Sequence, residues 1–222
     1  MLITFSGSDG AGKTTQINLL IDRLRANHLR VKYFWSRAGY TPGFLAFKRV
    51  LRFCLGEKIA PPSGESARRT QMLSDPRIVY IWGTLAIIDL IIYYAIALRY
   101  YRWRYDAVVC DRFLPDTHLD FLINHPSASL TDLRIWKTLK KIAVKPDCSF
   151  LLTVPVAVSQ LRSKQKGEPY PDDEQTLQIR LKNYLDSSLF PVNQYRHLNG
   201  MESPDFLSEK IKKHLNLIKP IL

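Results

Sequence analysis

The 222-residue chain is 46% hydrophobic and carries 32 Lys+Arg against 20 Asp+Glu, a formal net charge of +12. That length supports one large or two small domains and that apolar content a sizeable core, which excludes a disordered or fibrous chain and makes one α/β domain over 1–222 the simplest expectation. The charge suits anionic ligands such as nucleotides, phosphates, nucleic acid or an anionic membrane surface. The three cysteines, Cys54, Cys110 and Cys148, have no CxxC spacing, which argues against a metal-thiolate site and for reduced thiols in the cytoplasm.

Met1 runs straight into the first expected strand, Leu2 to Ser6, so no signal peptide is expected. The strand stops at Gly7, and Gly7-x4-Gly12-Lys13-Thr14 then fits a phosphate-binding loop. Each residue type has a chemical reason. Glycines let successive backbone N–H groups turn inward around phosphate oxygens, Lys13 adds a mobile positive charge, and Thr14 offers a hydroxyl to Mg²⁺. The loop Gly7, Ser8, Asp9, Gly10, Ala11, Gly12, Lys13, Thr14 and Thr15 opens a helix whose apolar residues, Ile17, Leu20, Ile21 and Leu24, recur at helical spacing. Its positive end therefore faces the phosphates.

The helix is expected to end near Asn27-His28, and Val31–Trp35 reads as a second strand. Beyond it Ser36 to Gly43 forms a loop at the C-terminal end of the strand, where open α/β sheets bind ligands, so Arg37 is placed to reach a phosphate or is simply solvated. Phe44 to Leu55 has helical spacing and gives way at Gly56 to the loop 60–64. Ile78 to Leu98 is the most apolar segment, with Asp89 its only formal charge. It is long enough to span a bilayer, but a span would separate the phosphate loop from the next strand. A long helix buried against the sheet is therefore expected, with Asp89 turned to a polar neighbour, and contact with a membrane surface or an apolar substrate remains open.

That next strand, Tyr105 to Cys110, is apolar on both faces and belongs in the middle of a parallel sheet beside the first. It ends at Asp111-Arg112-Phe113. An Asp there can hold Mg²⁺ while Arg112 contacts a phosphate, or it can cap the following helix. Ser149 to Val154 reads as a fourth strand, Pro155 starts a helix, and the segment around Arg162, Lys164 and Lys166 is a basic loop. A helix at Leu177 to Leu189, a short strand at Tyr195–Asn199 and a closing helix from Pro204 to Leu217 complete the chain.

The run Phe5-x-Gly7-x-Asp9-Gly10-Ala11-Gly12-Lys13-Thr14-Thr15-Gln16, the Arg loop after the second strand and Asp111-Arg112-Phe113 resemble the thymidylate kinase group of nucleoside monophosphate kinases. The resemblance implies a three-layer P-loop kinase fold, with a five-stranded parallel sheet flanked by helices and a short lid at approximately 162–174. It implies an ATP-dependent, Mg²⁺-requiring phosphotransferase with a nucleoside monophosphate, best thymidine monophosphate, as acceptor. Lys13 and Arg112 would be catalytic, together with Arg162, Lys164 and Lys166 of the lid, because the subgroup whose phosphate loop lacks an arginine keeps its basic residues there. Thr14 and Asp111 would organise the metal, Arg37 and Arg112 would position the acceptor, and Asp9 would meet a sugar hydroxyl. A homodimer through helices near the sheet edge is also implied.

The acceptor half departs from the family pattern. Arg37-Ala38-Gly39-Tyr40-Thr41-Pro42 stands where the family has Arg-Glu-Pro-Gly-Gly-Thr, and Leu114 to Leu119 brings Asp116 into the acceptor neighbourhood. Asp89-Leu90 stands where Asp-Arg is usual, with Arg68, Arg69 and Arg77 upstream. A kinase for a sugar or lipid-linked hydroxyl, with Asp116 or Asp9 as base, is the alternative. A second alternative is an ATP-binding adaptor at a membrane surface. Specific nucleic-acid binding is not expected, since the basic residues are dispersed.

Overall fold

The computed structural model describes residues 1–35, 37–55, 71–167 and 172–218. Five strands, β1 (Leu2–Gly7), β2 (Val31–Trp35), β3 (Ala107–Asp111), β4 (Cys148–Thr153) and β5 (Tyr195–Asn199), form one parallel sheet in the order β2-β3-β1-β4-β5. Burial explains the order. The interior strands β1, β3 and β4 are buried on both faces, whereas β2 and β5 carry exposed residues and take the two edges. This is the expected five-stranded α/β kinase sheet.

The α-helices among the described residues are α1 (Lys13–Ala26), α2 (Pro42–Leu55), α3 (Pro76–Arg104), α4 (Leu114–Asn124), α5 (Arg134–Ile142), α6 (Val156–Lys166), α7 (Glu174–Tyr184) and α8 (Pro204–Ile218). Two compact units divide these elements. One comprises Met1–Trp35, Arg99–Leu119 and Lys145–Leu222 and holds the whole sheet, and the other, Ser36–Leu98 with Asp120–Val144, is helical.

In the sheet unit, alternation along β1 separates two environments. Ile3 and Phe5 join Ile17, Leu20 and Leu24 of α1 and Leu207, Ile211 and Leu215 of α8 in an apolar core. Thr4 and Ser6 take the other direction, where the Thr4 hydroxyl donates to Ser149 Oγ at 2.9 Å and the Ser6 hydroxyl to Asp116 Oδ2 at 2.6 Å. Polar atoms this deep are tolerated because each finds a partner.

In the helical unit, Pro42 opens α2 where its missing N–H costs nothing, and Thr41 Oγ1 accepts from the N–H of Phe44 at 3.1 Å. Asp75 caps α3 in the same way, accepting from the N–H of Arg77 at 2.8 Å. Trp136 of α5 is fully buried, with Phe121 edge-on at 5.4 Å.

Some boundaries differ from expectation. α3 runs six residues beyond Leu98, and its middle, Ile92–Ala97, is π-helical. It is also not fully buried, since Ile88, Ile92 and Ile96 are 42%, 51% and 62% exposed. Asp89 does meet a polar neighbour, accepting a hydrogen bond from the Thr41 hydroxyl, while burial holds its carboxyl above the ordinary range. α7 starts earlier than expected because Asp173 caps it, accepting from Thr176 N–H at 2.6 Å, and it stops at Tyr184 rather than Leu189. α5 is an element that the sequence reading passed over. Gly56, the loop 60–64, Arg68 and Arg69 lie outside the described residues.

Candidate active site

The phosphate loop is folded by its glycines. Gly7 has φ 133°, and a Cβ there would sit 1.8 Å from the carbonyl oxygen of Leu152 on β4, so only glycine lets the chain leave β1 alongside its neighbour. Gly12, at φ 90°, turns the chain into α1. Between them the Ser8 N–H donates to Leu152 O at 3.0 Å, and the Ser8 hydroxyl is buried with no partner among the described residues.

Lys13 begins α1 and is 8% exposed. Its ammonium donates to the carbonyls of Gly7 at 2.8 Å and Ser8 at 2.7 Å and stands 3.8 Å from Asp9 Oδ1. Burial, and next the Arg112 charge, lower its pKa, while Asp9, Asp111 and Asp116 oppose the shift. Thr14 and Thr15, in the first turn of α1, are exposed.

The end of β3 lies beside this loop because Asp111 is in register with Phe5 of β1. Arg112 takes a left-handed backbone conformation, φ 71°, with its N–H bonded to Phe5 O at 2.8 Å, and its guanidinium donates to Asp9 Oδ1 at 2.7 Å. A non-glycine residue held at positive φ costs of order 1–3 kcal/mol and is typical of functional sites. Asp111 Oδ2 accepts from the Tyr33 hydroxyl at 3.1 Å, whereas Oδ1 is buried without a partner among the described residues. Such an oxygen beside a phosphate loop suits a hard cation.

Asp116, expected near the acceptor, is an interior group. It is 1% exposed, and its carboxylate accepts from the Ser6 hydroxyl, from the N–H of Phe113 at 2.9 Å and from the Tyr184 hydroxyl at 3.0 Å. Burial raises its pKa, opposed by Arg112 and the hydrogen bonds. It caps α4 and ties that helix to β1 and α7.

Of the basic residues assigned to the lid, Arg162, Lys164 and Lys166 all lie on α6, which ends at Gly167. Residues 168–171 of the expected lid are outside the described ones. Arg162 donates to the carbonyls of Gly10 at 2.9 Å and Gly200 at 3.0 Å, bracing the phosphate loop from behind. Lys166 borders an open cavity of about 290 Å³ shared with Gly10, Gly12, Thr15, Gln16 and Gly200, and Lys164 is exposed elsewhere on the helix.

Sequence reasoning missed three supports. Ser159 donates to Asp9 O at 2.7 Å, Arg180 is buried and paired with Asp172 at 2.5 Å, and Gly200 approaches so closely that a Cβ would lie 2.6 Å from Ala11 O. Of these only Gly200, directly after β5, carried a local signal.

In the helical unit Arg37 forms a bidentate pair with Asp120, Nε to Oδ2 at 2.9 Å and Nη2 to Oδ1 at 3.2 Å. A cavity of about 80 Å³ follows, lined by Tyr40, Phe44, Lys48, Trp82, Phe121 and His125 among others. Lys48 is 4% exposed, donates to Gly39 O at 3.1 Å, and lies 5.3 Å from the centre of the Phe44 ring.

No family model matches the chain. Over 217 residues it is 29% identical to the thymidylate kinase of Bartonella henselae, covering 95% of this chain and 92% of that one. It is 30% identical over 166 residues to a probable thymidylate kinase of Methanocaldococcus jannaschii, with 75% and 71% covered. A third relative, the thymidylate kinase of Rhodopseudomonas palustris, is 28% identical over 174 residues, with 77% and 66% covered.

Proposed function

The chain belongs to the thymidylate kinase family, and we propose that it transfers the γ-phosphoryl group of ATP to a nucleoside monophosphate, thymidine monophosphate being the acceptor. The observation that carries this assignment is the Gly7–Thr15 loop with Asp111 and Arg112 beside it at the end of the neighbouring strand. A monophosphate acceptor is already a nucleophile, so positioning and charge neutralisation suffice without a dedicated base.

The backbone N–H groups from Gly10 to Thr14 and the positive end of α1 hold the donor phosphates. Lys13 has a short path to their oxygens from the carbonyls of Gly7 and Ser8. Arg112 neutralises charge on the transferring or accepting phosphate, and Asp9 meets a sugar hydroxyl of the acceptor. Asp111 and the Thr14 hydroxyl would hold Mg²⁺, which supplies charge neutralisation on the donor phosphates. The cavity bordered by Thr15, Lys166 and Gly200 takes the remainder of ATP. Arg162 acts by bracing Gly10, and Lys164 and Lys166 add positive charge at the lid, 162–174. Arg37, fixed by Asp120, orients the acceptor phosphate. The two units are taken as parts of one kinase domain working in the cytoplasm, a setting in keeping with the free thiols of Cys110 and Cys148.

Of the two bases considered for the hydroxyl-acceptor alternative, Asp9 is the better placed, because Asp116 is 1% exposed and accepts from Ser6, Phe113 and Tyr184. An acceptor screen decides between the two. ATP consumption is measured with nucleoside monophosphates, sugars and glycolipid precursors, with Lys13→Ala as the blank. Thymidine monophosphate is expected to raise ADP formation far above that blank. Equal rates with every acceptor and the blank would sink the kinase assignment, and faster turnover with a hydroxyl acceptor would move it to the alternative.

A further inference from the structure

In the sheet unit, the carboxylate of Asp111 is held from the side by a residue of the edge strand. Tyr33 of β2 is in register with Val109 of β3, and Asp111 lies two residues further along β3. Alternation along a strand puts Val109 and Asp111 on one face, and parallel strands in register turn matched side chains to the same face. The Tyr33 ring therefore starts one pleat behind Asp111, and its hydroxyl reaches forward to donate to Oδ2 at 3.1 Å. Tyr33 is 42% exposed, so its ring adds little to the core and the hydroxyl is the particular contribution of this position. Among the described residues no other group donates to the Asp111 side chain, and Oδ1 is buried without a partner.

One donor thus makes the two oxygens of the carboxylate unequal. Oδ2 spends a lone pair on Tyr33, whereas Oδ1 keeps its own and is shut away from solvent. For a carboxylate that meets a cation this has two effects. The hydrogen bond stops rotation of the carboxylate plane, and it disfavours the chelating arrangement in which both oxygens face the ion. Ligation through a single oxygen suits Mg²⁺, which demands near-octahedral geometry at about 2.0–2.1 Å. Ca²⁺ takes more ligands at about 2.3–2.6 Å and accepts both oxygens of one carboxylate. Hydrogen-bond partners that orient a metal-binding carboxylate are typically worth about 10–100-fold in metal affinity.

We propose that Tyr33 is a positioning residue that holds Asp111 in a one-oxygen arrangement, so that the site favours Mg²⁺ over Ca²⁺. This role depends on Asp111 holding Mg²⁺, as proposed above. The affinity of the full chain for the non-hydrolysable ATP analogue adenylyl imidodiphosphate is measured by titration calorimetry in EDTA, in Mg²⁺ and in Ca²⁺, and the tightening produced by each metal over EDTA is compared. Tyr33→Phe should cut the tightening by Mg²⁺ roughly tenfold while the tightening by Ca²⁺ holds or rises. Its affinity in EDTA and its urea midpoint should stay in place, since the ring is kept and the residue is 42% exposed. Asp111→Ala should lose most of the tightening by both metals. If Asp111→Ala keeps that tightening, Asp111 does not hold the metal, and the assignment falls together with the role of Tyr33. If Asp111→Ala loses it and Tyr33→Phe matches the unaltered chain with both metals, the role of Tyr33 alone is overturned. Equal losses with Mg²⁺ and Ca²⁺ in Tyr33→Phe overturn it too, because a merely structural prop would not distinguish the two ions.

Discussion

The phosphate loop and the region around Arg37 hold their functional groups by different means. In the sheet unit most of the ties to the loop run to backbone, Lys13 to the carbonyls of Gly7 and Ser8, Arg162 to those of Gly10 and Gly200, and Ser159 to that of Asp9, with Arg112 to Asp9 the side-chain exception. In the helical unit the main ties join side chains, Arg37 to Asp120 and Thr41 to Asp89. Backbone carbonyls are present whatever the residue, so a loop built on them constrains conformation and therefore demands glycine at Gly7 and Gly200. Paired side chains can be exchanged together. On the proposed assignment, a scaffold organised this way keeps its grip on the donor while its acceptor side is free to change.

Four substitutions sharpen or break that contrast. The largest effect is expected from Lys13→Ala, which should lower kcat by roughly a thousandfold with little change in folding, measured as ADP release against urea unfolding. Gly7→Ala should instead attack the fold, because its Cβ meets Leu152 O. A loss of about 3 kcal/mol or more in urea unfolding is expected, and a neutral result would mean the loop is less rigid than its backbone contacts imply. Asp120→Asn loosens one jaw of a bidentate pair and should raise KM for the acceptor about tenfold while KM for ATP stays put. Parallel changes in both constants would mean the two regions are not separable.

The smallest effect concerns pH. Burial raises the Asp89 carboxyl, so the folded chain binds that proton more tightly than the unfolded chain. Stability should therefore decline as pH rises from the ordinary carboxylate value through the raised one and level off above it. Asp89→Asn should flatten Asp89's share of that decline in thermal melts across mildly acidic pH, leaving the share due to Asp116, whose carboxyl is also raised.

Legibility in the sequence followed the same division. Gly7 to Thr15 could be read because a backbone cradle needs glycines at fixed offsets, and β1, β3 and β4 because a strand covered on both faces is mostly apolar. Asp111-Arg112 could be read as the end of such a strand. Asp120 could not be found as the partner of Arg37, since 83 residues separate them and nothing local marks the pair. Asp116 looked available because sequence shows its charge but not the Ser6, Phe113 and Tyr184 donors that enclose it. Arg162 looked like a lid cation because its target is a carbonyl, which leaves no trace in composition. α5 was legible and overlooked: Ile135, Trp136, Leu139 and Ile142 recur at helical spacing with Lys and Arg between them, though the helix is only nine residues long.

The π turn in α3 also bears on how the gene can change length. Elsewhere in a helix, losing one codon turns everything beyond it by about 100° and exchanges its faces. At Ile92–Ala97 the chain already holds a looser turn, so losing one codon there should close it to ordinary α geometry, with Tyr100, Trp103 and the entry to β3 kept in phase. This segment is therefore where α3 should best tolerate a single-residue deletion, and a deletion scan along the helix would find it as an island of soluble protein.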